Sequence, residues 1–81
     1  MEKPEILKGL VEVFDEIFEN HNTTINETTT AQDIEEWDSL TNIELIVAVE
    51  KKFDIQFRSS EIETLGNVGD LRDIVFIKTA L

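Results

Sequence analysis

Ser39 is the hydroxyl whose neighbours could put it to chemical use. It lies between Asp38 and Leu40, where an acid meets the first apolar residue of a periodic run. A carboxylate at 38 can cap a helix by accepting from orphan N–H groups of the first turn. Ser39 then takes the first helical position, at the positive end of the helix dipole. A phosphate ester attached there would meet a favourable field and free backbone N–H groups. Taken alone, Asp-Ser-Leu also has a plain structural reading as a cap, a first-turn serine and a core leucine.

Other chemistries fare worse. His21 is the sole histidine, so a Ser39–His21–carboxylate triad is formally available. A lone histidine near a helix end more often serves the dipole or faces water, and a small helical domain offers little concave surface for a substrate. A calcium loop starting at Asp33 places Glu35 third, but Trp37 fifth and Asp38 sixth, where glycine is required. Glu35-Glu36 therefore reads as a solvated charge run. The glycines at 9, 66 and 69 make no phosphate-cradling motif. Without cysteine there is no disulfide, thiol nucleophile or cysteine-held metal. No catalytic residue and no metal site is expected, and the chain does not read as an enzyme.

The elements that must position Ser39 follow from periodicity. Pro4 suits a first helical turn. Leu7, Leu10, Val11, Phe14, Ile17 and Phe18 then recur at three- and four-residue spacing, with Ile6 and Val13 widening the stripe. That helix should fade near Asn20-His21-Asn22, three poor helix formers in a row. Residues 21–37 lack periodicity and form a long loop, with Ile25, Ala31, Ile34 and Trp37 as anchors onto the core. Asn22-Thr23-Thr24 and Asn26-Glu27-Thr28 match the N-glycosylation pattern, which carries no weight without secretion.

The second helix starts at Asp38-Ser39. Its expected inner stripe is Leu40, Ile43, Ile46, Val47 and Phe53, flanked by Leu45 and Val49, with Thr41, Glu44, Ala48 and Lys51 outside. Glu50 falls awkwardly within the apolar arc, and Asp54 ends the pattern. Ile55-Gln56-Phe57 alternates like a short extended link. Ser60-Glu61-Ile62-Glu63 fits a capping box that opens a short third helix before Gly66. Asn67 can cap a last helix with Val68, Leu71, Ile74, Val75 and Leu81 on its buried side and Gly69 weakening its first turn. Phe76 and Ile77 broaden the apolar surface. The expected fold class is all-α: a small four-helix bundle in one domain over 1–81, with a short third helix and a long loop between the first two.

Composition bounds the partners. Eighteen acids against seven bases give −11 over 81 residues, with 41% hydrophobic content. The acidic excess falls mostly within residues 1–54 and is locally offset by Lys51-Lys52. Such a surface repels nucleic acid and anionic membranes, while basic protein surfaces attract it. The apolar content is enough for a core, and the longest apolar run, Leu45 to Val49, is far short of a membrane span. Met1-Glu2-Lys3-Pro4 shows no cationic region leading into an apolar stretch. A cytoplasmic monomer is the expectation.

One wider pattern absorbs the serine. Trp37-Asp38-Ser39-Leu40, then Ile43-Glu44-Leu45-Ile46, Val49-Glu50 and Phe53-Asp54-Ile55, resembles the prosthetic-group attachment segment of acyl carrier proteins. The family pattern is D-S-L, an E-L-hydrophobic step, then hydrophobic-E-x-x-F. The match is specific over the central twenty residues and generic over the first and last helices. The resemblance implies that Ser39 carries a 4′-phosphopantetheine arm, installed from coenzyme A by a phosphopantetheinyl transferase with magnesium. Acyl groups would ride on its thiol as thioesters, so a cysteine-free chain could serve thioester chemistry.

The resemblance also implies that the second helix docks acyl-loading and acyl-transfer enzymes through their basic patches, with Asp38, Leu40, Ile43, Glu44 and Glu50 as contact residues. Thr41 stands where many fatty-acid carriers have an acid. Lys51-Lys52 interrupts the usual acidic run, and Trp37 replaces a small residue. These departures point from housekeeping fatty-acid synthesis towards a ligase, polyketide, peptide-synthetase or surface-polymer pathway. The alternative reading is a carrier-fold interaction module that is never modified.

Overall fold

The computed structural model describes residues 2–19 and 24–80. It is all-helical among the described residues, with α1 (Lys3–Ile17), α2 (Ser39–Phe53), α3 (Ser59–Glu63) and α4 (Val68–Thr79). No described helix is long and apolar enough to cross a membrane. His21, the Asn22-Thr23-Thr24 triplet and the Leu81 anchor lie at least partly outside the described residues.

Pro4 sits in the first turn of α1, and α1 packs against both α2 and α4. Its buried face is centred on Ile6, Leu10, Val13 and Phe14, with Phe18 closing the end. Ile6 and Val13, expected at the margin, are thus at the centre. Leu7, Val11 and Ile17 are half-buried flanks. The stripe lies slightly to one side of the sequence-based reading because α1 is wedged between two helices instead of lying over one.

The larger correction concerns α2. Leu45, Ile46, Val49 and Phe53 are buried, whereas Leu40, Ile43 and Val47 are 76%, 63% and 43% exposed. Ala48, placed outside, is half-buried against the core. At 100° per residue the apolar positions of α2 span an arc wider than one neighbouring helix can cover. Packing on α1 takes the 45/46/49/53 side and leaves the 40/43/47 side bare. Glu50 lies on the border between the two, and its Oε2 accepts from the Phe57 N–H at 2.8 Å. This bond braces the 55–58 link and accounts for an acid inside the apolar arc.

The remaining ends follow local chemistry. Asp54 terminates α2 in the left-handed region, φ 55°, a conformation that aspartate tolerates better than most residues. The start of α3 is two residues earlier than the Ser60 box requires, with Arg58 at the cap. Glu61 Oε1 accepts from the Arg58 N–H at 2.8 Å, so Glu61 supplies half a capping box. Arginine has no acceptor to supply the other half. Asn67 caps α4 as expected, its Oδ1 accepting from Asp70 N–H at 2.8 Å. Ile74 is half-buried and Ile77 exposed.

The long loop is tied down by its backbone. Ile25 and Ile34 are buried, but Ala31 is exposed and Thr29, at 2% exposure, is the anchor beside them. Thr29 Oγ1 accepts from the Asn26 N–H at 2.9 Å, and its carbonyl accepts from the Val68 N–H at 2.9 Å. Glu27 O accepts from the Gly69 N–H at 2.8 Å, and the Glu27 carboxylate pairs with Arg72. Loop polarity hid this anchor, since a buried threonine is recognisable only once its partners are known.

Gly69 therefore has a reason. A Cβ there would lie 2.8 Å from Glu27 O, a backbone atom that cannot swing aside. Gly69→Ala is expected to destabilise the fold by about 1–3 kcal/mol through overpacking, outweighing the ~1 kcal/mol gain in helix propensity. Urea denaturation measures the balance. A more stable variant would show that the loop yields freely.

Candidate functional site

Asp38 caps α2 with one oxygen. Its Oδ1 accepts from the Leu40 N–H at 2.9 Å and the Thr41 N–H at 3.0 Å. Thr41 returns the bond, its Oγ1 accepting from Asp38 N–H at 2.8 Å and donating to Glu36 O at 2.8 Å. The result is a closed capping box in which threonine takes the place of glutamate. Thr41, notable in the sequence as a missing acid, is thus part of the helix start. Asp-x-x-Thr at 38–41 is the signal that could have revealed it.

These N–H donors hold the Asp38 carboxyl below the usual carboxylate range, Thr41 contributing most and Leu40 next. A depressed carboxyl adds stability above its unfolded-state value, and that contribution is lost as pH falls through the folded value. Asp38→Asn retains a capping oxygen but cannot ionise. Its melting temperature should lie below wild type at neutral pH, and the gap should close from about pH 4 downward. A gap independent of pH would show that the charge contributes nothing.

Ser39 is exposed at the first position of α2, and among the described residues its hydroxyl makes no hydrogen bond. No described base is bonded to it, as an activated serine nucleophile would require. The hydroxyl is accessible and unspent. Of the first-turn N–H groups expected to be free for a phosphate, those of Leu40 and Thr41 are already committed to Asp38.

Trp37 fixes the approach to the serine. Its indole stands edge-on to Phe14, ring centroids 5.1 Å apart at 81°, and 6.1 Å from Phe18. Its Nε1–H donates to Asn42 Oδ1 at 2.9 Å. One residue therefore joins α1, the loop end and α2 directly before Asp38-Ser39. Asn42 was missed from sequence. The available signal was a polar residue on the same arc as Leu45, Ile46, Val49 and Phe53.

Ser39 opens onto a cleft of about 280 Å³ whose walls include Trp37, Asn42, Ile62, Leu65 and Gly66. Leu40, Ile43 and Glu44 are exposed along the outer side of α2, and Asp38 is exposed at its head. Glu50 stands apart from them, half-buried with its carboxylate on the Phe57 N–H. The structure thus brings four of the five expected contact residues to an exposed surface beside Ser39.

The comparisons with known proteins agree with this architecture. No family model matches the chain. The acyl carrier protein of Acidothermus cellulolyticus is 32% identical over 75 residues, spanning 93% of this chain and 89% of that protein. The solved holo acyl carrier protein of Geobacter metallireducens aligns with a TM-score of 0.85 at 39% identity, over 93% of this chain and 86% of that one. A Mycobacterium tuberculosis structure described as an acyl carrier protein shares the fold, with a TM-score of 0.79 at 22% identity over 89% of this chain and 96% of its own. With a relative above 30% identity across nearly its whole length and the same four-helix architecture, the chain belongs to the acyl carrier protein family.

Proposed function

We propose that Ser39 is the attachment point of a 4′-phosphopantetheine arm and that the chain carries acyl groups on it as thioesters. The observation that carries this reading is the exposed, unpartnered Ser39 hydroxyl at a capped helix start, in a chain of this family. The residues present fit the group: the serine supplies the alcohol for a phosphodiester, and the adjoining cleft can receive the arm's first atoms. The bound arm supplies the thiol that the chain lacks. The chain itself binds, orients and presents, and catalyses nothing.

Partner enzymes would dock on α2. Leu40, Ile43 and Val47 form a bare apolar stripe beside Glu44 and Asp38, a surface suited to an apolar contact ringed by basic residues. Glu50 adds charge from the edge while bracing the α2–α3 link. The partners are a phosphopantetheinyl transferase and cytoplasmic acyl-loading and acyl-transfer enzymes of a fatty-acid, polyketide or more specialised pathway.

The test is loading. Incubated with a broad-specificity transferase, coenzyme A and magnesium, the protein should gain the mass of one phosphopantetheine unit. An unchanged intact mass would favour the unmodified interaction module.

A further inference from the structure

Asn42 has one amide atom in use and one to spare. Its Oδ1 faces the Trp37 indole at 2.9 Å. An indole nitrogen only donates, so the oxygen must be the atom on that side. The amide orientation is thereby set, and Nδ2, with two N–H donors, makes no hydrogen bond among the described residues. Asn42 and Ser39 line the same cleft. Three residues apart on one helix, they are surface neighbours with Cβ atoms about 5–6 Å apart.

A phosphodiester on Ser39 would find two of the first-turn backbone donors spent, with the N–H of Ser39 itself uncommitted among the described residues. The N–H groups of Leu40 and Thr41 both go to Asp38 Oδ1, and Asp38 adds a negative charge next to the ester. Beyond that single N–H, the anion gains most from a side-chain donor that is already held in place, since an ordered donor loses little freedom on binding. Asn42 meets that condition because the indole immobilises it.

We infer that Asn42 is the positioning residue of the prosthetic arm, donating from Nδ2 to a non-bridging oxygen of the Ser39 phosphodiester while Trp37 holds the amide in register. This rests on the attachment at Ser39 proposed above. It also gives Trp37 a role beyond the core: the indole sets the donor that faces the arm.

The test separates the two claims. Intact mass is read first, and a wild-type chain that takes up no arm overturns the attachment and this inference with it. On loaded protein, the Asn42 side-chain amide protons should move downfield relative to the unloaded form. A hydrogen bond to a charged acceptor should also slow their exchange with water about tenfold or more. The 31P resonance of the arm should shift in loaded Asn42→Ala and loaded Asn42→Asp. In Asn42→Asp the indole still finds an oxygen, so Trp37 emission should stay at its wild-type position and show that the fold is intact. Asn42 amide signals unmoved by loading, or a 31P resonance unmoved in both variants, would overturn the inference.

Discussion

Ser39→Ala is expected to abolish modification completely while leaving the fold in place. After incubation with transferase, coenzyme A and magnesium, the wild-type chain should convert to the loaded mass and the variant should not change at all. No neighbouring hydroxyl can take over. The Thr41 Oγ1 is held between Asp38 N–H and Glu36 O in the capping box, and Ser59 and Ser60 open the separate helix α3. Removing an exposed, unbonded hydroxyl should alter stability by no more than about 0.5 kcal/mol. Equal melting curves would show that lost loading is not lost folding. A loaded Ser39→Ala species would place the attachment elsewhere.

Phe14→Ala should have the largest effect on stability. Phe14 is fully buried on α1 and contacts both other aromatic rings of its cluster, Phe18 at 5.6 Å and Trp37 at 5.1 Å between centroids. Truncating a buried phenylalanine costs about 3–5 kcal/mol, as lost transfer energy plus the cavity left behind. At roughly 0.05–0.15 kcal/mol per residue, a domain this size holds only about 4–12 kcal/mol in total. The variant should therefore melt at least about 12 °C lower, with a measurable unfolded population at 37 °C. Trp37 is the sole tryptophan, so its fluorescence reports the same event during urea denaturation. Phe76→Ala, at a half-buried ring on α4, should cost clearly less. Equal losses at the two positions would mean that the Phe14–Phe18–Trp37 cluster is not the centre of the core.

The legibility of the chain differed from element to element. Helix starts were readable where a side chain bonds its own neighbourhood: Asp38 and Asn67 cap the helices they were expected to cap. Ser60 misled because the return bond comes from Glu61 to Arg58, a residue whose type signals no cap. The buried side of α2 was not readable, since 40/43/47 and 45/46/49/53 are both apolar stripes at helical spacing. Only the position of α1 distinguishes them. Glu50, Thr29 and Gly69 share one cause of obscurity. Each is explained by a partner distant in sequence or outside its own element, at Phe57, Val68 and Glu27 respectively.

The sequence by itself determined the helical class, the long tethered loop, the charge and the serine at a capped helix start. Those properties arise from composition and from interactions within a few residues, which a linear string records directly. Tertiary structure alone decided which apolar face of α2 stays bare, and that Trp37 hangs between α1 and Asn42. It also decided that the loop is pinned to the first turn of α4. These depend on which surfaces meet, and burial is a property of pairs of elements that no single helical pattern contains.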